Sequence, residues 1–157
     1  MAIHNLFYVF LITLVPWIEL RASIPIGIAL GEPWLLVFAV AVATNAVLGP
    51  TIYFALDKLL PFFCRVQRID SIYKRIVIGV QRKSSRYVEK YGLLGIALFV
   101  AIPLPGSGSW SGALAAFLLG LGYKRFVIAN LVGVFIAGVV VTAFWLGVLQ
   151  LFIPFLA

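Results

Sequence analysis

Residues 15–27 read Val-Pro-Trp-Ile-Glu-Leu-Arg-Ala-Ser-Ile-Pro-Ile-Gly, so Glu19 and Arg21 stand in an apolar run that Pro16 and Pro25 interrupt. A second stretch in the other half of the chain, residues 102–113, reads Ile-Pro-Leu-Pro-Gly-Ser-Gly-Ser-Trp-Ser-Gly-Ala. In a lipid bilayer, charged side chains and broken helices are costly and occur mainly where protein surrounds them or where they line a cavity. The two stretches therefore mark the candidate functional centre of a membrane protein.

The composition around these stretches is that of an integral membrane protein. Of the 157 residues, 64% are hydrophobic and 11% are charged, whereas soluble domains carry about 25% charged residues. Nine of the twelve Lys and Arg residues lie between Lys58 and Lys90, which is typical of a cytoplasmic loop and not of a nucleic-acid-binding face. One Cys and one His exclude a disulfide framework and a Cys/His metal site within one chain, so we expect no metal and no cofactor.

The charge pattern divides this single membrane domain into five segments. Residues 1–32 and 91–123 contain legs of about 10 to 15 residues, which at ~1.5 Å per residue cannot cross a hydrocarbon core of about 30 Å. Each of these two segments predicts a re-entrant helical hairpin. Residues 33–57 and 124–157 each predict a transmembrane helix, and residues 58–90 predict a cytoplasmic amphipathic helix. For residues 1–32, one tilted, proline-kinked spanning helix is an open alternative.

The amphipathic segment has an apolar face and a basic face. Apolar residues recur at alternating steps of four and three from Phe62 to Val80, as on one side of a helix. Its basic side fits the anionic headgroups of the cytoplasmic leaflet, although a connector that only fixes topology is equally open. The headgroup-facing candidates are Arg65, Arg68, Arg75, Arg82 and Arg86.

The cytoplasmic loop fixes the expected topology in the cell membrane. With residues 58–90 inside, the first hairpin opens outside, the second opens inside, and both termini lie outside. The prediction is an all-α polytopic membrane protein with an inverted repeat, the plan of many secondary transporters. Because a chain of this length offers little protein to surround a hydrophilic path, a homodimer is a candidate assembly.

The two hairpin tips predict an anion site. If Pro25 begins a half-helix, Ser23 or Ile24 caps it, and free backbone N–H groups face the bilayer centre. The Gly106–Ser109 segment does the same for the second hairpin. Two helix N-termini and an arginine attract phosphate or carboxylate groups. The candidate binding residues are Arg21, Ser23, Pro25, Gly27, Pro103, Pro105, Gly106, Ser107, Gly108 and Ser109.

Glu19 is the candidate coupling residue, with H⁺ or Na⁺ as the coupling ion. Removing a carboxyl group from water raises its affinity for a proton. The structural alternative is that Glu19 and Arg21 neutralise each other and hold the tip backbone. Asn45 and Asn130 are polar residues within the transmembrane segments, where such side chains most often form interhelical hydrogen bonds.

The sequence does not predict an enzyme. The five acidic residues are scattered, and His4 stands alone near the N-terminus, so neither paired carboxylates nor a Ser/His/Asp set is available. The glycines of residues 106–112 lack the spacing and the following Lys of a phosphate-binding loop.

Two motifs resemble those of a known family. Glu19-Leu-Arg-Ala-Ser-Ile-Pro-Ile-Gly27 and Pro103-Leu-Pro-Gly-Ser-Gly-Ser-Trp-Ser-Gly-Ala113 are similar to the two motifs of the prokaryotic small multidrug export proteins, a family related to the DedA/VTT superfamily. The resemblance covers nearly the whole chain and implies two opposed re-entrant hairpins, each followed by a transmembrane helix. For the wider superfamily it implies phospholipid scrambling or polyprenyl-phosphate translocation, coupled to protons or sodium. Val100 and Gly106 stand where DedA proteins carry arginines.

The sequence and the resemblance together predict a transporter that moves a lipid or a lipid-linked anionic headgroup across the bilayer, with membrane lipids as its partners. Two alternatives stay open. The first is an ion-coupled exporter of small amphipathic molecules, and the second is a membrane scaffold whose basic helix recruits partners.

Overall fold

The computed structural model describes residues 2–63, 79–104 and 106–156. Over these residues the fold is entirely helical, which confirms the all-α prediction. The helices are α1 (Ala2–Leu14), α2 (Glu19–Ala29), α3 (Trp34–Phe63), α4 (Gly79–Ala101), α5 (Ser109–Leu119) and α6 (Tyr123–Leu156). Much of the predicted basic helix, with Arg65, Arg68 and Arg75, lies outside the described residues. The side chains of Arg82 and Arg86, near the start of α4, lie outside them too.

The long helices α3 and α6 pack against each other. In the described part of the chain they supply the two segments long and apolar enough to cross a membrane, Trp34–Leu59 and Tyr123–Val148. Glycines allow the close approach: a Cβ on Gly49 would lie 2.6 Å from Oδ1 of Asn130, and one on Gly138 would lie 2.6 Å from Cγ2 of Val42. Small residues at such crossings let two helix backbones come together.

Helices α1 and α2 form an antiparallel pair, called here the first hairpin. The hydroxyls of Thr13 and Ser23 lie 2.7 Å apart near its closed end, and Asn5 Nδ2 donates to Glu32 Oε1 at 2.9 Å near its open end. With 13 and 11 residues, the helices extend only about 20 and 16 Å at ~1.5 Å per residue.

The tip of the first hairpin turns earlier than the sequence predicts. Trp17 has φ 67° and Glu19 has φ 48°, left-handed values that non-glycine residues rarely adopt and that cost about 1–3 kcal/mol each. The turn at Trp17 reverses the chain, so α2 begins at Glu19 and Pro25 lies inside it. The prediction that Pro25 begins a half-helix is therefore wrong. A proline inside a helix leaves the carbonyl four residues earlier, that of Arg21, without its helical donor.

Helices α4 and α5 form the second hairpin. Helix α4 runs from Gly79 through Lys90 to Ala101 without a break. A Cβ on Gly112 would lie 2.6 Å from Cγ2 of Val100, so the two helices pack closely. The α5 helix begins after an extended Gly108, whose N–H donates to Ser111 Oγ at 3.0 Å.

The two hairpins end alike and pack on both long helices. The Glu32 N–H donates to the Gly27 carbonyl at 3.2 Å, and the Leu121 N–H donates to the Ala116 carbonyl at 3.0 Å. Glycines with positive φ precede both donors, at positions 31 and 120, as in Schellman-type helix ends. Helices α1 and α2 pack on α3, and α2 also contacts α6. Helix α4 packs on α6, and α5 packs on α3 and more weakly on α6. This packing brings the two hairpin tips together.

Candidate functional site

The two hairpin tips meet at the carboxylate of Glu19, which is only 1% exposed. Oε1 accepts a hydrogen bond from the Trp110 N–H at 3.1 Å. Oε2 accepts from the Ser109 N–H at 3.2 Å, from Asn45 Nδ2 at 3.3 Å and from Arg21 Nη1 at 3.2 Å. Ser109 and Trp110 are the first two residues of α5, where free N–H groups attract anions. The carboxylate of Glu19 therefore occupies the anion position at the N-terminus of α5.

Arg21 joins the same tip to the end of α4. Its Nη2 donates to the Ile102 carbonyl at 2.9 Å and lies 3.5 Å from the Val100 carbonyl. The same nitrogen contacts both the carbonyl and the hydroxyl of Ser107. The guanidinium thus stabilises carbonyls at the end of α4 and just after it, where a cation is favoured. Its side chain is 11% exposed, and its Nε has no partner among the described residues.

Asn45 of α3 and Asn130 of α6 lie beside this ion pair, and both are fully buried. Asn130 Nδ2 donates to the Asn45 carbonyl at 3.3 Å, and the Ser109 hydroxyl donates to the same carbonyl at 3.3 Å. The predicted interhelical hydrogen bonding of these asparagines is thereby present in the structure. Polar groups from α2, α3, α5 and α6 form one connected cluster, which we call the central cluster: Glu19, Arg21, Asn45, Ser109 and Asn130.

Gly108 makes this arrangement sterically feasible. A Cβ at Gly108 would overlap the Glu19 carboxylate. Its backbone is extended, with φ −177°, so the requirement for glycine is the close approach of the carboxylate and not an unusual torsion angle. Gly106, two residues earlier, has φ +88°, which does favour glycine.

A pocket of about 370 Å³ adjoins Arg21 between α2, the tip of the second hairpin and α6. Residues of α6 form its apolar wall, and Arg21 supplies its charged group. The lining residues are Arg21, Pro25, Pro103, Val140, Val141 and Phe144.

The structure brings some of the candidate residues together and separates others. Glu19, Arg21 and residues 107–109 meet at the tips, and Pro25 and Pro103 line the Arg21 pocket. Ser23 instead contacts Thr13 inside the first hairpin. Gly27 lies between α1 and α3, where a Cβ would be 2.7 Å from methyl groups of Val9 and Val37. Pro105 lies outside the described residues.

Sequence reasoning did not single out Trp110, although it stands in the second motif. Besides donating its N–H to Glu19, it donates its indole Nε1–H to the carbonyl of Leu14, the last residue of α1, at 3.3 Å. The available signal was the indole of Trp110 itself, because its N–H needs a hydrogen-bond partner and the residue stands in a broken apolar segment.

The chain matches a known protein family. The family described as "Putative small multi-drug export protein" matches residues 19–140. The chain belongs to this family. The matched region begins at Glu19 and includes the whole central cluster, the tip of the second hairpin and Val140 of the Arg21 pocket. No curated protein and no solved structure matches the chain. Family membership and the two long apolar helices together identify this small multi-drug export family member as a membrane protein.

Proposed function

We propose that this protein is a proton-coupled membrane exporter of small amphipathic molecules, with Glu19 as its coupling residue. The observation that carries the proposal is the buried Glu19 carboxylate, which links the tip of the first hairpin to α5 and α3. Ionisable groups buried at such positions in membrane proteins are mostly functional. The name of the family supports export of small molecules.

The position of Glu19 favours an exporter over a carrier of anionic headgroups. A bound phosphate would use the first N–H groups of α5 and the guanidinium of Arg21. Glu19 already occupies those N–H groups and one arm of the guanidinium. An external anion would therefore have to displace a carboxylate that the chain itself supplies.

We place the two hairpins in the membrane as opposed re-entrant elements of an inverted repeat. The short lengths of α1, α2 and α5 support this arrangement, because none can cross a bilayer alone. The corresponding glycine ends of the hairpins and the way each packs on both long helices also support it. In transporters of this plan, the binding sites lie where the repeats meet.

Protonation of Glu19 supplies the conformational step. The ionised carboxylate holds four donors from the two tips and α3, and hydrogen bonds to a charged group contribute about 1.5–3 kcal/mol each. A neutral carboxylic acid loses its attraction to Arg21 and holds these donors more weakly. The contact between the tips then loosens and opens a path, which closes again when Glu19 releases its proton.

The test is transport into proteoliposomes by the full-length protein and its Glu19→Gln variant. With ethidium as a small amphipathic substrate, we expect the wild type to accumulate it in response to a pH gradient. Glu19→Gln should lower the initial rate at least tenfold and remove its dependence on the gradient. Glu32→Gln is the matched control, because Glu32 is also buried but pairs with Asn5 at the open end of the first hairpin. Unchanged transport in Glu19→Gln would refute the coupling role.

The pocket beside Arg21 favours a second candidate, movement of a lipid or a lipid-linked anionic headgroup. This pocket combines one cation with apolar walls from α6, as an anionic amphiphile would require. Flip of a fluorescent phospholipid in the same proteoliposomes separates the two functions. An exporter of small molecules leaves the lipid distribution unchanged, whereas a lipid transporter equalises it.

A further inference from the structure

The crossing of α3 and α6 contains two fully buried amide oxygens, Oδ1 of Asn45 and Oδ1 of Asn130, and neither has a hydrogen-bond partner among the residues that the structure describes. A buried acceptor without a partner costs about 1–3 kcal/mol. We propose that these oxygens belong to a binding site for a monovalent cation, Na⁺, within the central cluster.

The orientation of both amides is fixed by their neighbours. Asn130 Nδ2 faces the Asn45 carbonyl at 3.3 Å, and Asn45 Nδ2 faces Glu19 Oε2 at 3.3 Å. A carbonyl and a carboxylate only accept hydrogen bonds, so each asparagine must present its nitrogen to them. The groups left without partners are therefore oxygens, the atoms that a hard cation requires.

Further oxygens lie in the same cluster. The Ser109 hydroxyl lies 3.3 Å from the Asn45 carbonyl oxygen, and Glu19 Oε2 is linked to both Asn45 and Ser109 at 3.3 and 3.2 Å. Gly49 packs directly on the Asn130 amide, so that side of the amide has no room even for a methyl group.

The charge of the cluster determines the valence of the ion. In the described part of the chain, Glu19 and Arg21 are the charged groups that face the cluster, both from α2, while α3, α5 and α6 contribute the neutral side chains Asn45, Ser109 and Asn130. The ion pair is neutral, so one Na⁺ gives a net charge of +1. A divalent ion would give +2, which is costly in a low-dielectric interior. The site should therefore prefer a monovalent ion.

The experiment measures ²²Na⁺ binding and thermal unfolding of the purified full-length protein in detergent micelles. NaCl is compared with KCl and N-methylglucamine chloride at constant ionic strength. We expect saturable ²²Na⁺ binding and a rise in the unfolding midpoint with NaCl but not with the other salts. An equal response to all three salts would overturn the proposal.

Variants of Asn130 locate the site. Asn130→Ala should weaken Na⁺ binding by about 10- to 100-fold, whereas Asn130→Asp, which keeps an oxygen there, should retain it. Thr142→Val is the matched control, because it removes another buried oxygen without a described partner, twelve residues further along α6, and it should bind Na⁺ as the wild type does. Unchanged affinity in Asn130→Ala would overturn the assignment. If Asn130→Ala does not fold, the comparison of salts and the Na⁺ affinity of Asn130→Asp still test the proposal.

Binding of Na⁺ is independent of the proposed proton-coupled transport, so the two proposals can fail separately. Ethidium transport that Glu19→Gln abolishes, in a protein that binds no Na⁺, would refute the sodium site and keep the proton-coupled exporter. Specific Na⁺ binding in a protein that transports nothing would support the site and refute the exporter.

Discussion

At the scale of single residues, Glu19 and Arg21 show how a local torsion angle decides which side chains meet. Residues two apart on a helix do not face each other. Because Glu19 has φ 48° at the first position of α2, its side chain leaves the helical path, and its carboxylate lies 3.2 Å from Arg21 Nη1. Both side chains also make contacts with the second hairpin, so their ion pair is part of the joint between the tips.

Gly108 supplies the sharpest prediction at this scale. Gly108→Ala should lower the free energy of unfolding by about 1–3 kcal/mol, because the new methyl group overlaps the Glu19 carboxylate. Thermal unfolding in detergent micelles measures the change. Gly95→Ala is the control, since nothing lies within 4 Å of a Cβ there, and alanine in the middle of α4 should stabilise by up to about 1 kcal/mol.

A double-mutant cycle identifies the cause of that loss. In a Glu19→Ala background the carboxylate is gone, so Gly108→Ala should cost much less than it does in the wild type. An equal cost in both backgrounds would mean that the methyl group clashes with something other than Glu19.

At the scale of elements, the free backbone groups at the helix ends of one hairpin tip form hydrogen bonds with side chains of the other tip. Helix ends carry free N–H and C=O groups, and the interior of a bilayer offers no water to satisfy them. Trp110 of the second hairpin donates to the last carbonyl of α1. Glu19 and Arg21 of the first hairpin serve the start of α5 and the end of α4. The two tips should therefore be stable only together.

Arg21→Lys tests whether the guanidinium of Arg21 caps the end of α4 in the other hairpin. Lysine keeps the charge but lacks the planar fork that reaches Glu19 and the carbonyls after α4 at the same time. We expect a loss of about 2 kcal/mol in unfolding free energy, since hydrogen bonds to charged groups contribute about 1.5–3 kcal/mol each. Arg125→Lys, at an exposed position in the first turn of α6, should change stability little. Equal effects of the two substitutions in thermal unfolding would contradict the capping role.

At the scale of the whole molecule, the two halves share a plan without being equivalent at the site. Both hairpins end in a glycine with positive φ and lead into a long helix. Asn45 lies eleven residues after the start of α3, however, and Asn130 lies seven after the start of α6. The difference of four residues is about one helical turn. The two asparagines thus meet through the crossing of α3 and α6, and the charged residues come from the first half alone.

The proposed opposed orientation of the hairpins predicts a labelling pattern. In a Cys64→Ser background, His4→Cys marks the open end of the first hairpin, and Lys124→Cys marks that of the second. A membrane-impermeant maleimide should label the first only from outside intact cells and the second only from the cytoplasmic side of inverted vesicles. Labelling of both from one side would contradict the inverted arrangement.

The sequence predicts much of this architecture and part of the site. Apolar length marked α3 and α6, and the prolines and glycines near residues 16 and 105 marked the tips. Glu19, Arg21, Ser109 and both asparagines were identified because polar residues stand out in apolar sequence. The start of α2 was missed, since a left-handed Trp17 has no signal in sequence. Ser23 and Gly27 share a motif with Glu19 and follow it by four and eight residues, so a regular helix would place all three on one face. They face other helices because the left-handed φ of Glu19 takes its side chain off that path.

The sequence by itself determined a membrane-embedded, all-helical chain with two broken apolar segments, because hydropathy, charge clustering and helix-breaking residues act over short distances along the chain. Only the tertiary structure decided what the charged tip binds within the protein. Glu19 and Ser109 are ninety residues apart, and their contact depends on how two hairpins pack against α3 and α6. That packing places the carboxylate of Glu19 where the sequence predicted an external anion, because the N–H groups of α5 in an apolar interior donate to the nearest anionic group.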